Sequence, residues 1–397
     1  MKKILEKKWM PAILLCFTFF ICGCELGGFN LAVYYVAEDF SLSAAAKSSF
    51  TALQYASMLF APIVFGRLAN KFPKKSILTI FGAVFTLGAL IISISPNVYF
   101  YILGIIFIGT GFAIITSLSF SFIMDIYPLS NTRVTAITQT IFSVGAVISP
   151  IICSSLINSS GSNWRVIFVF ITTISFLNVI FIFIGNFSIR EKKVQSNIKC
   201  TNKLFPLFLV VIVSFVAFFY VGAETGFSNY IATFMREGLV SEEYLANVSI
   251  SMFWALMIPS RFLVAVFPKK KQVALFVCLT GIILSILLVI TAPSAIYGLV
   301  YIAMAGFFCG PVYPIVASFV TEVSEDNTVK GTVILAVLGN LGGATATFFM
   351  GPISILFGKL KYSFVMLVVL IILGFVSYSL FLIKRKSKNY ESKLKKV

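Results

Sequence analysis

Histidine is absent from this chain, and only 14 of its 397 residues are acidic. Without His, the commonest metal ligand and the usual proton shuttle near neutral pH are missing. The seven cysteines, at 16, 22, 24, 153, 200, 278 and 309, show no framework spacing, and all but Cys200 lie in apolar runs. Neither a zinc site nor a disulfide set is implied. There is no P-loop and no Gly-rich nucleotide motif, so ATP cannot drive work here and energy must come from a gradient. No catalytic set stands out, so an enzyme is not expected, and no organic cofactor is read. Charge is scarce as well. Charged residues make up 11% of the chain and apolar ones 59%, with a mean hydropathy of +1.00. A soluble protein of this length could not hide so much apolar surface.

What the chain has instead is apolar runs of membrane-spanning length. There are twelve, over 10–36, 46–66, 76–95, 98–122, 134–157, 165–187, 204–234, 244–266, 272–291, 294–320, 331–354 and 362–383. The formal charge of +17 would suggest nucleic acid in a soluble chain, but its placement argues otherwise. With a cytoplasmic N-terminus, 26 of the 31 Lys and Arg fall on the cytoplasmic side, leaving Lys47, Arg165, Arg236, Lys359 and Lys361 outside that set. This obeys the positive-inside rule. An integral multi-pass protein of a bacterial cytoplasmic membrane is expected, monomeric, with both termini cytoplasmic, touching lipid and not nucleic acid.

The pattern Glu-x-Gly-x-x-Asn occurs at Glu25–Gly27–Asn30 and again at Glu224–Gly226–Asn229, 199 residues later. Phe72-Pro73-Lys74-Lys75 recurs as Phe267-Pro268-Lys269-Lys270, and Asp125…Arg133 recurs as Glu322…Lys330. The polar stretch 190–203 separates six spans from six. The predicted fold is therefore all-α, with twelve transmembrane helices in two pseudo-twofold-related six-helix bundles. An N-terminal bundle would occupy 1–189, a cytoplasmic linker 190–203, and a C-terminal bundle with a basic tail 204–397. Parallel repeats of this kind place a substrate site between the halves, near the midplane.

A charged group near the bilayer centre costs on the order of 3 kcal/mol, so two duplicated acids there need a reason. Burial favours a neutral carboxyl, which puts proton uptake and release within reach of Glu25 and Glu224. Gly27-Gly28 could instead loosen the helix and free carbonyls for sodium, so proton and sodium both stand as coupling ions. Asn30, Gln54, Gln139, Asn229 and Asn340 are candidate solute contacts or helix–helix glue. Trp254 lies inside the eighth span and could stack on a flat solute. Arg67, Asp125, Arg133, Arg261, Glu322 and Lys330 are expected in a cytoplasmic gate. Gly306 with Gly310, and Gly339 with Gly343, have the four-residue spacing of close helix contacts.

Gly66-Arg67-Leu68-Ala69-Asn70-Lys71-Phe72-Pro73-Lys74-Lys75 resembles the loop 2–3 signature of the major facilitator superfamily, with Asn70 where an acid is usual. Tyr220-Val221-Gly222-Ala223-Glu224 and Gly306-Phe307-Phe308-Cys309-Gly310-Pro311-Val312-Tyr313-Pro314 resemble segments of its fucose:proton and glucose/galactose branch. The resemblance implies a secondary transporter of a small polar solute, foremost a sugar, by proton or sodium symport. Span four has no acid between Tyr99 and Ile123, where fucose-type symporters commonly carry one. Gly145 and Pro150 partly resemble an antiporter motif, and a proton-coupled drug or metabolite exporter is the alternative.

Overall fold

The computed structural model describes residues 2–59, 72–126, 131–161, 163–185, 206–266, 270–324 and 328–394. Arg67 and the linker 190–203 lie outside the described residues. Every regular element among the described residues is a helix. The first half holds α1 (Lys2–Asp39), α2 (Ala44–Leu59), α3 (Lys74–Ser93), α4 (Val98–Ile126), α5 (Asn131–Ser159) and α6 (Arg165–Ile184). The second holds α7 (Leu207–Thr233), α8 (Glu243–Val266), α9 (Lys271–Ile290), α10 (Ala295–Cys309), α11 (Val312–Ser324), α12 (Thr328–Phe357) and α13 (Lys361–Leu394). Helices α10 and α11 form one crossing, interrupted at Gly310-Pro311, where proline has no N–H to continue the ladder. Among the described residues, ten such crossings are long and apolar enough for a membrane. Helices α2 and α8 are the other two.

A backbone in lipid must satisfy its own polar groups, which is why the spans are helices. Their hydroxyls follow the same rule. Thr18, Thr86, Thr116, Thr172 and Ser285 each donate to the carbonyl four residues back.

The duplication seen in the sequence is a duplication of packing. Helix α1 packs on α5, and α7 on α12; α3 packs on α4 and α6, and α9 on α10 and α13. Backbone details repeat too. Ser41 and Val240, 199 positions apart, both take positive φ (51° and 49°) in the turns after α1 and α7. Gly161 and Gly358, both at φ 68°, shape the turns after α5 and α12. The two six-helix bundles meet along two seams, α2 against α12 and α5 against α8, which exchange under the pseudo-twofold.

Close approach within each half depends on glycine. A Cβ on Gly23 would lie 1.9 Å from the Phe142 carbonyl oxygen of α5, and one on Gly342 would lie 1.9 Å from that of Phe218 in α7. Gly306 and Gly310 approach α8 as their spacing suggested, at the carbonyls of Phe253 and Met257. The expectation for α12 needs correcting. Gly343 accommodates the Tyr55 ring, and Gly339 stands 3.5 Å from Val221, an ordinary contact. The tight helix contact falls to Gly342, because that position faces α7.

Candidate functional site: a cavity between the halves

A cavity of about 230 Å³ lies between the two halves at the level of Glu224. Helix α7 brings Val221 and Glu224 to its wall, and α1 brings Phe19 and Leu26. Gln139 and Phe142 of α5, Trp254 and Arg261 of α8, and Asn340 of α12 share the wall with Tyr55 of α2 and Phe112 of α4. Four sequence candidates, Glu224, Gln139, Trp254 and Asn340, are thus brought together.

Glu25 is not with them. It is fully buried inside the first half, where Gln54 Nε2 donates to its Oε1 at 2.8 Å. The reason is a helix rotation. Leu26 of α1 faces the cavity, and one residue is about 100° of turn, which directs Glu25 at α2. The expectation of two acids in one vestibule therefore fails for Glu25, and Gln54 is its partner instead of a lining residue. Glu25 Oε2 and Gln54 Oε1 have no partner of their own among the described residues.

Trp254 is 3% exposed, and its ring meets Phe142 edge-on across the α5–α8 seam at 6.0 Å. Among the described residues its indole N–H has no acceptor. Leaving a buried donor unpaired costs about 1–3 kcal/mol, so a solute oxygen in the cavity would be well received.

Arg261, expected in a gate at the membrane face, instead reaches the cavity wall, because α8 continues helical to Val266 beyond it. It is 4% exposed. Nε donates to the Gly310 carbonyl at 3.1 Å, and Nη1 donates to the Gln139 carbonyl at 2.8 Å and to Ser143. Arg261 thereby ties α8 to the break at Gly310 and, across the seam, to α5. Its charge also acts on Glu224.

Asn30 and Asn229 do not line the cavity either. Both bridge the halves: Asn30 reaches Ser228 at 3.5 Å, and Asn229 reaches Thr51 at 2.7 Å. The second belongs to a ladder between α2 and α7. Thr225 donates to the Tyr55 hydroxyl at 3.1 Å, Asn229 to Thr51 at 2.7 Å, and Lys47 to Thr233 at 2.6 Å. Residues four apart share a helix face, so two antiparallel stripes, 47/51/55 and 225/229/233, pair one rung per turn. The rungs run from the cavity toward the face opposite the chain termini.

At that opposite face a second cavity, about 750 Å³, lies over the ladder, with Tyr34, Tyr35, Asp39, Arg165, Arg236 and Glu243 among its lining. Arg236 donates to Asn247 at 2.6 Å and to the Tyr35 hydroxyl at 3.2 Å, and stacks 4.0 Å from the Tyr34 ring. Tyr35 in turn bonds Glu243, and Asn247 donates to Ser154 at 3.1 Å. Arg165 holds Asp39 at 3.1 Å and the Ser95 carbonyl at 3.0 Å within the first half.

At the terminal face, Glu322 is held by Lys271 and by Arg385, the latter at 3.2 Å. Both partners belong to its own half, so this cluster joins α9, α11 and α13 and does not bridge the bundles. Lys330, expected beside Glu322, is exposed at the start of α12. Asp125 and Arg133 fall in α4 and α5; their side chains lie outside what is described.

A family model described as Major Facilitator Superfamily matches residues 15–347. The glucose/mannose transporter GlcP of Bacillus subtilis (strain 168) is 21% identical over 311 residues, 75% of this chain and 76% of its own. The structure of FucP in its outward conformation superposes with a TM-score of 0.70 at 18% identity, over 94% of this chain and 99% of FucP. The nucleoside transporter NupG gives 0.73 at 14% identity, with coverage of 94% and 99%.

Proposed function

Because the chain belongs to the major facilitator superfamily, we propose that it moves a small polar solute, foremost a sugar, by proton or sodium symport with alternating access. The observation that carries this reading is the cavity between the halves, where an acid, two amides and an unpaired indole N–H converge. A sugar needs many directed donors and acceptors, and a ring it can lie against. Gln139, Asn340 and Glu224 supply the first, and Trp254 with Phe142 the second. GlcP, named as a glucose/mannose transporter, agrees with that chemistry.

Glu224 is the group that meets both solute and coupling ion, since it faces the cavity and Arg261 acts on it. Filling and emptying it biases which face opens. Glu25 lies off this path and would exchange its proton or sodium only when α1 and α2 shift. The positive-inside distribution of the basic residues supports a cytoplasmic position for both termini. In that orientation the α2–α7 ladder seals the outside.

The aromatic part of the wall, which includes Phe112, Phe142 and Trp254, favours a second reading in which the solute is a flat metabolite or drug exchanged for protons. Uptake of labelled D-glucose into proteoliposomes separates the two. Accumulation above equilibrium under an inward proton or sodium gradient is expected. Outward, gradient-opposed movement of an aromatic compound, with no sugar uptake, would replace the symport reading.

A further inference from the structure

Tyr55 belongs to two devices at once. Its ring forms part of the central cavity wall and is seated against Gly343 of α12, where a Cβ would stand 2.6 Å from the ring. Its hydroxyl is the innermost rung of the α2–α7 ladder. The direction of that bond matters. Thr225 Oγ1 donates and the phenol oxygen accepts, so Tyr55 keeps its own O–H to give elsewhere. No other residue of the ladder lines the cavity.

We propose that Tyr55 donates its phenolic proton to the solute in the central cavity and, through Thr225, latches α2 to α7 above it. One side chain would then report occupancy to the seal. A hydroxyl that donates becomes a better acceptor, since hydrogen bonds in a chain polarise one another. The bound solute therefore strengthens the Thr225–Tyr55 rung and, with it, closure of the opposite face. This rests on the central cavity being the solute site.

The test uses the full-length protein with a cysteine pair at Ser48 and Phe348, neighbours across the α2–α12 seam, where the Ser48 hydroxyl donates to the Phe348 backbone carbonyl at 3.2 Å, and both outside the ladder. The native cysteines are replaced, and a short thiol cross-linker reads closure with and without D-glucose, or with uridine if glucose is not carried. Tyr55→Phe keeps the ring and its seat. It should raise KM about fivefold, the worth of one neutral hydrogen bond, and abolish the solute-induced rise in cross-linking. Thr225→Val should lower cross-linking while leaving KM within about twofold. Identical KM values for wild type and Tyr55→Phe, or the same KM rise in both variants, would overturn the contact. If neither solute is carried, the sugar reading falls on its own. The latch is then judged from solute-free cross-linking, where a lower yield in Tyr55→Phe sustains it and an unchanged yield refutes it.

Discussion

Gly342→Ala and Gly339→Ala lie three residues apart on one helix, yet opposite outcomes are expected. At Gly342 the new Cβ would fall 1.9 Å from the Phe218 carbonyl oxygen and 2.9 Å from its Cα, all backbone. Ordinary contact begins near 3.4 Å, so α12 must retreat from α7 by about 1.5 Å. Overpacking of that kind costs about 1–3 kcal/mol. It also matters for function, because Asn340 on α12 and Glu224 on α7 both line the cavity. A misplacement of about 1 Å in a positioning residue can cost up to about a hundredfold in activity. At Gly339 the Cβ would be 3.5 Å from a Val221 methyl, and nothing needs to move. Thermal unfolding in detergent and uptake kinetics read both effects. Gly342→Ala should melt lower and transport poorly, with Gly339→Ala close to wild type. Equal melting temperatures for the two variants would refute the packing account of the α7–α12 contact.

Trp254→Ala should weaken solute binding while the protein still folds and inserts; unchanged affinity in a ligand-stabilisation assay would return the ring to packing. Arg261→Lys keeps the charge but cannot serve Gly310, Gln139 and Ser143 together. A loss of about 2 kcal/mol is expected in unfolding experiments, and wild-type stability would show that the fork is not needed. Glu322→Gln breaks exposed pairs within one half, so stability should change by no more than about 1 kcal/mol. Uptake should be unaffected, and a changed uptake rate would mean that this cluster takes part in opening.

The fold was legible because the duplication is in the letters. An offset of 199 between Glu25 and Glu224 also relates Ser41 and Val240, whose backbones share an uncommon conformation. The site was legible only in part. The sequence places Glu25 and Glu224 at equivalent positions, but it does not say that α1 shows Leu26 to the cavity where α7 shows Glu224. Helix rotation is set by packing, here by Gly23 and Gly145 against α5 and α1. The polar ladder does leave a signal in the sequence. Lys47, Thr51 and Tyr55, like Thr225, Asn229 and Thr233, repeat every four residues along their helices. Lys47 and Arg236 were visible as exceptions to the positive-inside pattern, and both turn out to join the two halves. Arg261 looked peripheral because it is close to the end of its span. Its long side chain instead turns inward, to carbonyls that α5 and the broken crossing leave available.

Replacing the cavity acid with its amide gives the most direct trial of the transport account. In proteoliposomes, Glu224→Gln should still exchange labelled solute across the bilayer at equilibrium, because the cavity and the two seams persist. It should fail to concentrate that solute under any imposed ion gradient. Concentration to the wild-type level would contradict the account, since no other acid among the described residues lines the cavity where solute and ion are held to meet.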